Sequence, residues 1–164
     1  MAGNAAQFIQ LMKNPLKFRM FLFYKLPSAY FAGVRIRSIT TESCEVTVPY
    51  KWFSQNPFRS TYFACLSMAA EMSTGALAMA HTHKSQPAIS MLVTRVEGDF
   101  IKKATDVTTF RCEEGNTFRE LIAEAVSTGE PRIIKAKSIG TNSAGEVVAE
   151  FFITWSFKSR SAKS

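Results

Sequence analysis

The sequence predicts an α+β fold, an antiparallel sheet wrapped around one long central helix, and three observations carry that reading. Residues 61–80 form an unbroken apolar run with a single charge, Glu71. The segments on either side alternate apolar and polar residues with the period of a strand that has one wet face. Turn signals at residues 40–43 and 142–145 stand at hairpin spacing between such segments. A single long helix among antiparallel strands is an α+β layout.

The lead, residues 1–32, carries one or two short amphipathic helices over residues 8–23, interrupted at Asn14-Pro15, that pack over the edge of the domain. Lys13, Lys17 and Arg19 are scattered through it, and no continuous apolar core runs into a small-residue cleavage site, so it does not resemble a signal peptide. Residues 33–41 alternate Val34 and Ile36 against Arg35 and Arg37. Residues 43–50 set Cys44, Val46, Val48 and Tyr50 against Glu45 and Thr47, and the two make a hairpin.

The run at 61–80 reads as a helix opened by Pro57 and capped by Ser60. At 3.6 residues per turn, Ala64, Ser67, Met68, Glu71, Thr74, Gly75 and Ala78 share one stripe of small side chains. Such a stripe lets a helix approach a sheet closely or leaves room for a ligand. Length alone would allow a membrane span, but Ser67, Glu71, Ser73, Thr74 and Gly75 interrupt the apolar character and no aromatic and basic anchors flank the run, so no span is expected.

After a loop at 83–87, residues 88–97 read as a strand, Gly98-Asp99 as a break or bulge, and residues 104–112 as a strand of β-branched residues. Residues 117–127 read as a shorter helix, capped by Asn116 and closed by Gly129-Glu130-Pro131, although a strand-rich fold could recruit them into the sheet. Residues 132–140 and 146–157 form the last pair of strands. In the second of them Val147, Ala149, Phe151, Ile153, Trp155 and Phe157 line the core face. Residues 158–164 read as a solvated basic tail.

At 164 residues the chain fits one domain, with a core that needs neither disulfide nor metal. Cys44, Cys65 and Cys112 are odd in number and have no Cys-x-x-Cys spacing, which argues for free thiols in a reducing cytoplasm and against a zinc site. The net charge of +7 favours an anionic partner, whether phosphorylated metabolite, nucleic acid or membrane surface. No helix-turn-helix, zinc-finger or interleaved basic and aromatic pattern supports nucleic acid. No Gly-rich phosphate loop, dinucleotide fingerprint or Gly-x-Ser-x-Gly elbow occurs either.

Glu71 is the first candidate for chemistry, because an ionised carboxylate in so apolar a run needs a hydrogen bond, an ion pair or a cleft. Its structural alternative is a pair with Arg59 or hydrogen bonds to a partner chain. Asn56 suits a turn cap equally well. Cys65 in the first helical turn suits a buried structural thiol better than a reactive one. His81 and His83, two apart, do not share a helix face and make a poor metal site.

Asn56, the acid fifteen positions later in Ala70-Glu71, and the text Val-Thr-Arg-Val-Glu-Gly-Asp-Phe-Ile-Lys-Lys-Ala at 93–104 resemble the hotdog-fold acyl-CoA thioesterases of the phenylacetate-pathway type and their DUF4442 relatives, over residues 33–157. The resemblance implies a single hotdog domain and a homodimer or dimer of dimers with acyl-thioester sites at the subunit interface. It implies coenzyme A as part of the substrate and no separate cofactor. It casts Glu71 as general base or nucleophile and the N–H groups of Phe63 and Ala64 as a carbonyl clamp. Asn56 would orient substrate or water and Thr74 would hold the attacking water. Phe58 would contact substrate, and Arg95, Lys102 and Lys103 would meet the phosphates of coenzyme A, their alternative being a solvated turn. The chain departs from the family where Asn56-Pro57-Phe58-Arg59 replaces Asn-x-His-Gly and Phe63-Ala64 replaces Gly-Gly. Those replacements keep open a module that holds an acyl group without cleaving it, and the basic charge keeps open a scaffold for nucleic acid.

Overall fold

The computed structural model describes residues 2–160. Three helices lead the chain: α1 (Ala2–Lys13), α2 (Pro15–Lys25) and α3 (Pro27–Ala32). Asn14 ends the first and starts the second, accepting the Lys17 N–H at 3.0 Å in front of Pro15, a pairing that suits an N-cap followed by proline. There follow β1 (Arg35–Ile39), β2 (Cys44–Val48), a short 3₁₀ turn (Trp52–Ser54), α4 (Phe63–Thr82), β3 (Ile89–Phe100), β4 (Thr108–Cys112), α5 (Gly115–Thr128), β5 (Arg132–Thr141) and β6 (Val147–Ser159).

All strand pairs are antiparallel, and the sheet order is β1-β2-β4-β5-β6-β3. Because side chains alternate across a pleat, Cys44, Val46 and Val48 of β2, Phe110 of β4, Ala136 of β5 and Phe151, Ile153 and Phe157 of β6 all bury on one face. That face curls around α4, which presents Ala69, Ala70, Ser73 and Leu77 to it. A curled antiparallel sheet around one long helix is the hotdog fold. The two buried serines at the contact are satisfied: Ser73 donates to the Ala70 carbonyl at 2.8 Å and its hydroxyl lies 2.8 Å from that of Ser138. By length and composition α4 could cross a membrane, yet 67% of its most apolar window is enclosed by the fold. It is the core helix.

Several boundaries differ from the sequence reading, each for a reason that lies far away in the chain. The helix starts at Phe63, with Tyr62 as a cap that offers no side-chain bond, and Ser60 is not the cap. The Thr61 N–H is held by the Ala104 carbonyl at 2.7 Å and the Tyr62 N–H by Ser54 at 2.7 Å, so these residues stay extended until the helix begins. The same contact keeps residues 104–107 out of β4.

Gly98 does not break β3. It pairs with Phe151, and a Cβ there would lie 2.7 Å from the Phe151 ring, so glycine lets the two strands stay close. The register shift sits instead between Val93 and Arg95. Val147 is exposed rather than core, because a shift between Gly140 and Thr141 moves it off the inward face. Residues 115–128 are helical and not recruited into the sheet. The start of α5 is tied to the first hairpin by the Gly115 N–H on the Glu42 carbonyl at 3.1 Å, which displaces the expected Asn116 cap. Lys158 and Ser159 belong to β6, and the Arg160 N–H bonds the Ala88 carbonyl, so the sheet runs into the first part of the basic tail; residues 161–164 lie outside the described residues.

Candidate active site

Helix α4 carries Glu71 beside Trp155 of β6. This region opens into a cavity of about 630 Å³ whose floor is Met72, Gly75, Ala76 and Trp155, whose roof is Phe8, Met12, Phe18 and Phe21 of the lead helices, and whose lining also takes in His83 and Arg160. Glu71 is half-buried. Among the described residues its carboxylate makes no hydrogen bond or ion pair, and Arg59, the partner considered from sequence, is not among the ion pairs. Burial without a compensating charge pushes the carboxyl above its usual range. A Cβ on Gly75 would lie 3.1 Å from the Glu71 Oε1 and 3.1 Å from the Trp155 ring, so the glycine makes the space in which the carboxylate sits.

A second hollow, about 620 Å³, lies at the amino end of the same helix and is lined by Asn56, Phe58, Phe63, Phe100, Lys102 and Lys103. The first backbone donors of α4, the N–H groups of Phe63 and Ala64, have no partner among the described residues, as helix geometry requires of a first turn without a side-chain cap. With the helix dipole behind them they suit a developing negative oxygen. The exposed Phe63 ring stands edge-on to Tyr62, with centroids 4.8 Å apart, and to Phe100.

The other expected residues are placed as follows. Asn56 lines the second hollow, but its Oδ1 accepts the Phe58 N–H at 3.0 Å and the Ser60 N–H at 3.2 Å, the geometry of an Asx turn. Lys102 pairs with Glu146 at 2.6 Å and Lys103 donates to the Phe58 carbonyl at 3.3 Å. Arg95 lies on exposed β3, pairs with Glu97 at 3.2 Å and lines neither hollow. Thr74 is buried with its hydroxyl spent: it donates to the Glu71 carbonyl at 2.9 Å and accepts from Trp155 Nε1 at 2.9 Å, which leaves no proton to hold a water. Trp155 is thereby locked under the carboxylate.

Burial raises the thiol of Cys65, and that of Cys112 is pushed up to about 12, so both behave as structural thiols. His81 Nε2 lies 2.8 Å from the Thr41 carbonyl, tying the helix end to the first hairpin, while the His83 ring packs on Phe8 with centroids 5.4 Å apart. Gly75 belongs to the small-residue stripe read as leaving room for a ligand, whereas Trp155, read only as core, and the whole roof are not reached by residue-type reasoning. The signal for the roof was the string of aromatic residues in the lead, which have no polar purpose there.

Similarity to known proteins agrees with this architecture. A structure of a Pseudomonas aeruginosa protein described as a probable thioesterase superposes with a TM-score of 0.76 over 92% of this chain and 99% of its own, at 20% identity. A thioesterase of Haemophilus influenzae gives 0.65 over 89% and 91% at 10% identity. A variant of another Pseudomonas aeruginosa thioesterase gives 0.66 over 90% and 96% at 11% identity. At these identities the likeness is one of fold. No curated protein matches the chain by sequence. The family described as Domain of unknown function (DUF4442) matches residues 17–157, which takes in α2 and α3 as well as the sheet and its helix, and the chain belongs to that family.

Proposed function

We propose that the protein hydrolyses acyl thioesters, with the acyl group in the Glu71 cavity and a coenzyme A portion along the basic loop at Lys102 and Lys103. The observation that carries this is Glu71 itself, a carboxylate without a partner among the described residues, raised in basicity by burial, at the wall of an apolar cavity of about 630 Å³. As base, it takes a proton from water while the water oxygen adds to the thioester carbon. The oxyanion that forms is held by the Phe63 and Ala64 N–H groups. The C–S bond then breaks and the sulfur leaves with the proton that Glu71 carries. As nucleophile, the same carboxylate adds directly and water opens the resulting anhydride.

Within one chain, clamp and carboxylate are eight residues apart on one helix, about 12 Å. A shared site therefore needs two subunits. Strand β3 is an edge with Leu92, Val96 and Phe100 exposed, and in this reading two such edges pair in a homodimer that brings the clamp of one subunit to the carboxylate of the other. The naming of three structural neighbours as thioesterases supports the hydrolase part of this reading.

The test is turnover of coenzyme A thioesters from short to long acyl chains, read by released thiol. Hydrolysis is expected, and Glu71→Gln should lower it by about 10²–10⁴-fold. An unchanged rate in that variant sinks the mechanism. The exposed Phe63 ring at the clamp favours a second reading, a module that binds the acyl group without cleaving it. Calorimetric heat with acyl-CoA and no released thiol would select that reading.

A further inference from the structure

The lead also has an exposed face that the hydrolase reading does not use. Leu16, Met20, Phe23 and Tyr24 of α2 point outward, and Tyr24 is 72% exposed. Phe23 touches Tyr24, Tyr30 and Phe31, Phe31 stacks on Phe53, and Phe53 meets Trp52, with successive centroids 4.8–6.5 Å apart. The result is one continuous aromatic surface across α2, α3 and the 3₁₀ turn, ending at Trp52, 75% exposed. A surface of that kind is not left to water without a reason.

Charge identifies what covers it. Residues 2–41 hold six basic side chains and no acid, so the lead and first strand carry all but one of the chain's net positive charges. Lys13, Lys17 and Lys25 are exposed around the patch, and Arg19 stacks on the Tyr30 ring at 4.5 Å. We infer that α2, α3 and the Trp52–Ser54 turn dock the protein on an anionic membrane surface, the aromatic side chains entering the headgroup layer and the lysines meeting lipid phosphates. A second copy is the weaker occupant: an isologous contact would set this basic surface against itself. At 11 residues α2 is about 16 Å long, too short to cross the hydrocarbon core, so it lies in the plane of the surface.

Leu11, Phe21 and Leu26 of the lead line the Glu71 cavity and are themselves partly exposed, so a molecule docked through α2 and α3 brings that cavity close to lipid. That the cavity then receives an acyl chain from the membrane rests on the hydrolase reading; the docking does not.

The experiment is flotation of the full chain with vesicles of phosphatidylcholine alone and of phosphatidylcholine with phosphatidylserine, at low and at physiological salt. Binding to the anionic vesicles, at least about tenfold tighter than to the neutral ones and weakened by salt, is expected, with a blue shift of Trp52 emission. The pair Tyr24→Ser and Trp52→Ser, and separately Lys17→Glu with Lys25→Glu, should each abolish it while circular dichroism stays native. Neither pair touches the cavity, so turnover of a soluble short-chain thioester, where it occurs, is retained. Equal binding to neutral vesicles, none to either, retention on RNA instead, or a fall in oligomeric state in the Tyr24 and Trp52 variant would each overturn the proposal.

Discussion

Two hollows of nearly equal volume lie on one helix, and they differ in what their walls offer. The one at mid-helix is mostly apolar and roofed by the lead; His83 and Arg160 line it beside Glu71, and the chemistry proposed for it resides in Glu71. The one at the amino end is lined by a turn and a basic loop, and the chemistry proposed for it resides in backbone N–H groups, which truncating a side chain leaves in place. A helix can supply both kinds of group at once because its interior exposes only side chains, whereas its first turn exposes backbone. The sharpest way to break the comparison is to delete side chains in both places. Glu71→Gln should lower turnover by about 10²–10⁴-fold. Phe63→Ala should change it by less than about tenfold, or raise it by widening the approach, because the donor persists. Equal losses would mean that the Phe63 ring, not its amide, does the work.

The next largest effect concerns the space around the carboxylate. In Gly75→Ala the new methyl meets Glu71 Oε1 and the Trp155 ring, each 3.1 Å away. The ring is pinned by Thr74 and cannot yield, so the flexible carboxylate moves. Turnover should fall about tenfold. Stability should change little, since the gain in helix propensity, about 1 kcal/mol, offsets crowding of similar size. Urea midpoints and kinetics on the same sample check both. A large loss of stability with activity retained would show that Trp155 moved instead.

Burial of Glu71 also makes a statement about pH. Its folded pKa lies above its unfolded value near 4.3. The stability it contributes is therefore complete below about pH 4 and is lost as pH rises through the folded value. At neutral pH the ionised group destabilises the fold, by about 1.4 kcal/mol for each unit by which the pKa is raised. Glu71→Gln should raise the urea midpoint at pH 8, and the difference should vanish near pH 4. If Glu71 is the base, turnover by wild type should climb with pH through the same raised value, because the carboxylate would be the active form. A stability gain joined to lost activity is the mark of a group kept for function.

How far the sequence led can be judged from the same two places. The alternation of β6 and the lone acid in the apolar run are local patterns, and local patterns survive folding because they reflect which face is buried. The start of α4 was not legible. It depends on Ala104 and Ser54 holding the backbone of Thr61 and Tyr62, and neither contact leaves a mark near residue 60. Gly98 looked like a break because glycine usually is one; only its pairing with Phe151 shows that it serves close packing. The roof of the cavity comes from residues some fifty or more positions before Glu71, and an amphipathic lead does not say what it will cover. The spacing from Asn56 to Glu71 placed both residues on α4 or at its mouth but could not reveal that the Asn56 oxygen is already engaged.

The smallest effect tests the terminal hollow as a subsite for the polar part of a substrate. Lys102 is half-exposed and paired with Glu146 at 2.6 Å, an arrangement that stabilises the fold little. If its ammonium instead meets a phosphate, Lys102→Ala should raise KM for coenzyme A thioesters about two- to fivefold and leave kcat unchanged. The effect should shrink at high salt, because an exposed pair is screened. It should be absent with a thioester that lacks the nucleotide portion. A KM that rises equally for both substrates would place the coenzyme elsewhere, and the terminal hollow would then differ from the mid-helix one only in its backbone donors.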